Sequence, residues 1–165
     1  MKIQIGVIGS KDIHSGNVWD MALKVGREIA RAGAILVCGG LTGIMEASAR
    51  GAKESGGMTV GIVPGNVKSE ANPFIEIVIA TGIGYARNTI VATTCDIVII
   101  VAGGTGTLSE AAFALNMGKT VIALKGSGGV ADLLANKEID GKLVLSASSP
   151  LEAVRLGIEK AHKNQ

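Results

Sequence analysis

The run Val101-Ala102-Gly103-Gly104-Thr105-Gly106-Thr107-Leu108-Ser109-Glu110 has residue types and spacing suited to chemistry. It follows an apolar stretch, residues 96–101, and opens an Ala-rich helical stretch, residues 110–117. Strand, glycine turn and helix start together make an anion site. Glycines let the backbone come close to a phosphate, and the first free N–H groups of the helix point at it. Thr105 and Thr107 add hydroxyl donors. Glu110 is the unexpected member, because a carboxylate beside a phosphate cradle repels the phosphate unless it works on another part of the ligand. The glycines alone are a common pattern, whereas the glycines with Glu110 form a sharper one.

Other candidates lie elsewhere in the chain. Gly39-Gly40-Leu41-Thr42-Gly43 reads as a second cleft wall, with Gly39, Gly40 and Gly43 as its backbone contacts. Gly9 and Ser10 follow the first strand and suit either a tight turn or a phosphate or ribose contact. Arg87 stands at a predicted helix start; it reads either as a solvated surface arginine or, since it opposes the helix dipole there, as a bidentate contact to a phosphate or carboxylate. Glu46 is accounted for by its place in a first helical turn. Lys11 and His14 follow the first strand and are within reach of the same cleft. Gly118-Lys119-Thr120 is not a P-loop, since Phe113 stands where the first glycine is needed and a strand follows. Gly126-x-Gly128-x-x-Ala131 fits a loose dinucleotide pattern but comes at the sixth strand, so it reads as a helix-entry turn. No His/Cys/Asp cluster has metal spacing, and no Ser-His-Asp or Cys-His arrangement is legible.

These residues need a frame to hold them. Strand-like runs recur at residues 2–8, 34–38, 59–63, 75–79, 96–101, 120–124 and 142–145. Most are continuous Val/Ile/Leu runs, the mark of parallel strands covered on both faces. Helical patterns lie between them, at residues 17–32, 43–55, 86–94, 107–117, 130–136 and 150–162. Ser15 or Asn17 is expected to cap the first and Thr42 the second, with Gly33 and Gly56-Gly57 as their stops. The expected fold is α/β, a Rossmann-like, doubly wound, mainly parallel seven-stranded sheet with helices on both faces, in one domain over residues 1–165. In such sheets ligands bind at the carboxyl ends of the strands, where most of the glycine-rich segments fall.

Composition narrows the function classes. Glycine is 24 of 165 residues, about twice its usual share, and it clusters at element ends. Aromatics are 2%, too few for base-stacking platforms. The net charge of +2 is interspersed, so neither nucleic acid nor a membrane surface is expected as partner. No apolar run reaches the ~18 residues of a membrane span, and the chain opens on a strand pattern without a signal peptide. The two cysteines, Cys38 and Cys95, close one strand and open another, so a disulfide is not expected and a reducing cytoplasm is.

The pairing of Gly39-Gly40-Leu41-Thr42-Gly43-Ile44-Met45-Glu46, Gly56-Gly57 and Gly61-Ile62-Val63-Pro64 with the 102–110 run resembles one superfamily. It holds the Lonely Guy cytokinin-activating phosphoribohydrolases, once taken for lysine decarboxylases, and the molybdenum cofactor carrier proteins. The resemblance covers residues 2–160. The Lonely Guy pattern is Pro-Gly-Gly-x-Gly-Thr-x-x-Glu with an upstream Arg-Lys. Gly103, Gly104, Gly106, Thr107, Glu110 and Arg87 match it, but Ala102 stands for the proline and Asn88 for the lysine. Tyr85-Ala86-Arg87-Asn88 and Gly126-Ser127-Gly128-Gly129 are more similar to the carrier branch.

Two functions follow as expectations. The resemblance implies a carrier that binds a phosphate-bearing ligand, either a nucleotide or the molybdenum cofactor as cargo. Gly103, Gly104, Thr105, Gly106 and Thr107 would hold the phosphate, Arg87 would add a charged contact and Glu110 would accept from a ligand hydroxyl. The alternative is hydrolysis of the N-glycosidic bond of a nucleoside 5′-monophosphate. Glu110 would then stabilise an oxocarbenium-like transition state or orient water, and Arg87 would hold the substrate. A homodimer or homotetramer is expected, through apolar helix faces such as residues 111–115.

Overall fold

The computed structural model describes residues 1–13 and 15–163. His14, a cleft candidate from the sequence, lies outside the described residues. The elements run β1 (Gln4–Gly9), α1 (Gly16–Arg31), β2 (Ile35–Cys38), α2 (Ile44–Glu54), β3 (Thr59–Val63), a 3-10 turn (Lys68–Glu70) and β4 (Ile77–Ala80). A second 3-10 turn (Gly84–Arg87) leads straight into α3 (Asn88–Thr94). Then come β5 (Ile97–Val101), α4 (Thr105–Asn116), β6 (Thr120–Leu124), α5 (Gly129–Leu134), β7 (Glu138–Ile139), β8 (Lys142–Leu143), β9 (Leu145–Ala147) and α6 (Pro150–Lys163).

Seven strands form one parallel sheet in the order β4-β3-β2-β1-β5-β6-β9. The chain winds outward from β1 in one direction through β2, β3 and β4, then returns to place β5 on the other side of β1. That reversal is the switch point, and it sets the carboxyl ends of β1 and β5 side by side. The apolar runs explain the burial: all five residues of β5 are buried. Ile97, Ile99 and Val101 face one layer and Val98 and Ile100 the other, as strand periodicity requires. The first layer is closed by α1, α2 and α6, the second by α3, α4 and α5. Two glycines let α1 and α2 meet backbone to backbone. A Cβ on Gly26 would strike the Ser48 carbonyl, and one on Gly51 the Leu23 carbonyl.

Two local expectations change. The strand expected at residues 142–145 divides: β8 pairs antiparallel with β7, Glu138 opposite Leu143, and the seventh strand of the sheet is β9. Asp140 and Gly141 both have positive φ, 50° and 72°, a primed hairpin turn for which Asp-Gly is a strong sequence signal. The helix cap expected at Thr42 falls instead on Gly43, and the Thr42 hydroxyl donates to the Lys11 carbonyl at 3.1 Å. The α6 start matches its pattern, with the Glu152 N–H donating to Ser149 Oγ at 3.2 Å ahead of the first turn.

Candidate functional site

The buried end of β5 delivers the chain to the carboxyl edge, where the backbone turns sharply. Ala102 has φ +50° and Gly103 φ +107°. A left-handed alanine costs about 1–2 kcal/mol, so something must hold it. The loop after β6 does so. The Ala102 N–H donates to Ser127 Oγ at 2.8 Å, and that hydroxyl donates to the Leu124 carbonyl at 2.6 Å. The N–H groups of Val130 and Ala131 donate to the carbonyls of Gly103 (3.1 Å) and Ala102 (3.0 Å). Asp132 ties the same loop by accepting from the N–H of Gly126 (2.6 Å) and of Gly128 (3.2 Å). The Gly126–Gly129 stretch is thus a brace behind the first loop.

Beyond the turn, Gly104, Thr105 and Gly106 are exposed at the start of α4. The N–H groups of residues 103–107 have no acceptor among the described residues, and Gly104 carries no side-chain cap. The glycines here differ in cause. Gly103 needs its positive φ, and a Cβ would press on Thr107, which is buried against it. Gly104 has an ordinary extended φ of −121° with nothing within 4 Å of a would-be Cβ. Fold packing therefore gives no reason for a glycine at 104, and its effect is to leave the N–H groups uncovered on the outside.

Arg87 and Glu110 meet on the buried face of α4, one turn beyond Thr107. The sequence suggested an arginine at a helix start, facing solvent or ligand. The structure buries it at the end of a 3-10 turn, with Nη1 donating to Glu110 Oε1 at 3.0 Å and both side chains 8% exposed. The turn is set by the Gly84 N–H, which donates to the Pro64 carbonyl at 3.0 Å after β3. The guanidinium lies flat on Gly39, where any Cβ would collide with it. Its Nε is buried without a partner among the described residues. Burial pushes the Glu110 carboxyl up to about 7, against the pull of Arg87. Next to Arg87, Asn88 Nδ2 donates to Ser109 Oγ (2.9 Å) and Gly106 O (3.4 Å), joining α3 to the first turn of α4.

The second wall is held by a residue that the sequence did not single out. Asn72 donates its N–H and Nδ2 to the Gly40 carbonyl (2.8 and 3.1 Å) and Nδ2 also to Leu41 O (2.8 Å). Gly43 packs on the carbonyls of Ser10 and Lys11, and the Ile44 N–H donates to Ser10 O at 2.9 Å. Gly9 is accounted for by close packing on Val101 and Ile44. Cys38 accepts from the Gly40 N–H at 3.4 Å, and burial pushes its thiol up to about 12, so it is no nucleophile.

The structure therefore joins Gly39, Arg87 and Glu110 in one cluster, packs Gly103 on Thr107, and ties Gly106 to the same region through Asn88, next to Arg87, with Gly9, Ser10 and Gly43 forming the turn between β1 and α2. Ser127, Asn72 and Asp132 are the supports that sequence spacing missed. Their signal is only that each is a small polar residue beside a glycine or proline turn. Among the described residues no group of three His, Cys, Asp or Glu could hold a metal, and no helix is long and apolar enough to cross a membrane.

Residues 2–154 match the SLOG cluster4 family, and the chain belongs to that family. An uncharacterized protein of Archaeoglobus fulgidus is 48% identical over 123 residues, 74% of this chain and 80% of that one. The molybdenum cofactor binding protein from the phototrophic bacterium Rippkaea orientalis superposes with a TM-score of 0.87 at 35% identity, covering 97% of both chains. The molybdenum cofactor carrier protein of Chlamydomonas reinhardtii gives 0.85 at 34% identity, covering 98% of this chain and 99% of its own. The resemblance drawn from the sequence, to the superfamily and to its carrier-like branch, holds.

Proposed function

We propose that this chain binds a small phosphate-bearing ligand at the 103–107 loop and acts as a carrier, with a molybdenum cofactor-type molecule as its cargo and a nucleotide as the next candidate. The observation that carries this reading is the run of five N–H groups without an acceptor at the start of α4. Such a run, with the helix dipole behind it, favours an oxyanion without any catalytic group. The likeness to two molybdenum cofactor proteins along nearly the whole chain supports the choice of cargo. Gly103–Thr107 would take the phosphate, Arg87 would lend charge from below, and Gly39, Gly40 and Gly43 would line the side.

A phosphoribohydrolase is the second reading, favoured by a buried carboxyl poised near neutrality at Glu110. Ala102 weighs against it. The hydrolase pattern has proline there, and proline holds φ near −65°, so it is incompatible with the φ of +50° that this loop adopts. The two readings are separated by incubating the protein with nucleoside 5′-monophosphates and with molybdenum cofactor released from a donor enzyme. Thermal stabilisation would report binding and chromatography would report released base. Stabilisation that needs the phosphate, without release, is the carrier outcome; release of base would replace it with the hydrolase. No stabilisation by any phosphate ligand would sink both.

A homo-oligomer, a cytoplasmic setting and the absence of nucleic acid among the partners belong to the same proposal. For the first, Ile77 and Ile79 on the edge strand β4, Tyr85 before α3, and Leu108, Phe113 and Met117 on α4 are all exposed apolar side chains.

A further inference from the structure

We infer that capture of a dianionic phosphate at this loop drives a proton onto Glu110, so that the cargo is held on the acid side of neutrality and let go on the alkaline side. The inference rests on the anion-binding reading of loop 103–107. Glu110 is on the buried face of the same helix, one turn beyond Thr107 of the loop, 8% exposed and 3.0 Å from the Arg87 guanidinium.

The surroundings leave few other charges to respond. Among the described residues, Arg87 is the one cation bonded to Glu110. The strands β1, β5 and β6 and the helix α3 carry no charged side chain in their sequences. Asp132 of α5 is committed to the amides of Gly126 and Gly128. Lys119, past the end of α4, donates to the Thr93 carbonyl at 3.4 Å. Cys38 and Cys95 are buried thiols whose titration is pushed far upward. Tyr85, Lys11 and Glu46 stand outside this buried cluster, on the exposed turn and the second wall.

A phosphate monoester brings close to two negative charges into this setting. Either it draws on the Arg87 guanidinium, which has an unpartnered Nε, or it stands beside an ionised Glu110 with little water between them. Both raise the cost of the carboxylate. A proton from solvent onto a carboxylate oxygen of Glu110 removes that cost, and no bond of the ligand is made or broken. Because burial already holds this carboxyl near neutrality, the proton is available at ordinary pH.

The test is calorimetric titration with AMP at pH 7 and pH 8, each in two buffers of different ionisation heat. AMP is chosen because its phosphate is already a dianion at pH 8, so its own proton plays no part. Uptake should be about half a proton at pH 7 and approach one at pH 8, with affinity falling up to about tenfold per pH unit above 7. Glu110→Gln should bind AMP with no proton uptake and with flat affinity across that range. Carbon-13 NMR of the Glu carboxyls in the unmodified protein gives an independent reading, with the Glu110 midpoint moving upward when AMP is added. AMP binding without buffer-dependent heat at pH 8, or uptake that survives in Glu110→Gln, overturns the inference and leaves the anion site standing. No binding of AMP or of inorganic phosphate at millimolar concentration overturns the site reading, and the inference with it.

Discussion

At the residue scale, the buried Arg87–Glu110 pair makes stability depend on pH. A buried pair is weak evidence for stability, because desolvation offsets the attraction. Here burial wins for Glu110, whose carboxyl keeps its proton to about pH 7 when folded, against an ordinary value of 4.5. The folded state therefore binds a proton between those values that the unfolded chain does not. The stabilisation is fully present below pH ~4.5 and is lost as pH rises through about 7, amounting to about 3 kcal/mol. Glu110→Gln has no such proton. Its loss of stability between pH 5 and pH 8, from urea denaturation, should be smaller than that of the unmodified protein by about 2–3 kcal/mol. Equal pH dependence in the two proteins would remove Glu110 from the account.

At the element scale, two glycines of different standing separate binding from folding. Gly104 has a φ open to other residues and free space around it, so Gly104→Ala should change stability by less than about 0.5 kcal/mol. A methyl group over the exposed N–H groups should nevertheless weaken phosphate binding about tenfold, measured by titration with the ligand found to bind. Gly51 behaves oppositely. Its Cβ would enter the Leu23 carbonyl at the α1–α2 crossing, so Gly51→Ala should cost about 1–3 kcal/mol in denaturation while ligand affinity per folded molecule stays unchanged.

The glycine loops and the helix start are legible from spacing, because a strand–turn–helix needs those residue types in that order, and Glu110 stands out as the residue that a phosphate cradle does not call for. The brace was not. Ser127 reaches Ala102 from 25 residues away, and Asn72 reaches Gly40 from 32 away, distances at which single-sequence patterns carry no signal. The split of the strand expected at residues 142–145 has a local signal in Asp140-Gly141, a hairpin dipeptide ahead of the apolar run.

At the scale of the whole molecule, the parallel sheet is covered by three helices on each side, yet β4 keeps Ile77 and Ile79 exposed, at 45% and 41%. Their register partners Val60 and Ile62 belong to the layer of α3, α4 and α5, whose helices pack away from that edge. A second copy would cover this strip together with the outer face of α4. Sedimentation equilibrium should find a dimer or tetramer, and Ile79→Lys with Phe113→Glu should shift it to monomer without unfolding the chain. A monomer at micromolar concentration for the unmodified protein would rule the oligomer out.

Continuous apolar runs with polar, glycine-rich breaks determined a parallel α/β sheet with helices on both faces, because such strands are stable only when both faces are buried. The 101–110 run likewise determined a glycine turn from strand into helix with bare N–H groups at its start, since that geometry lies in consecutive backbone groups. Only the tertiary structure decided that Arg87 is buried and faces Glu110, that Ala102 is held in a left-handed turn, and that Gly104 is bare for no packing reason. Each of those depends on contacts between segments far apart in sequence, where burial sets charge, strain and access.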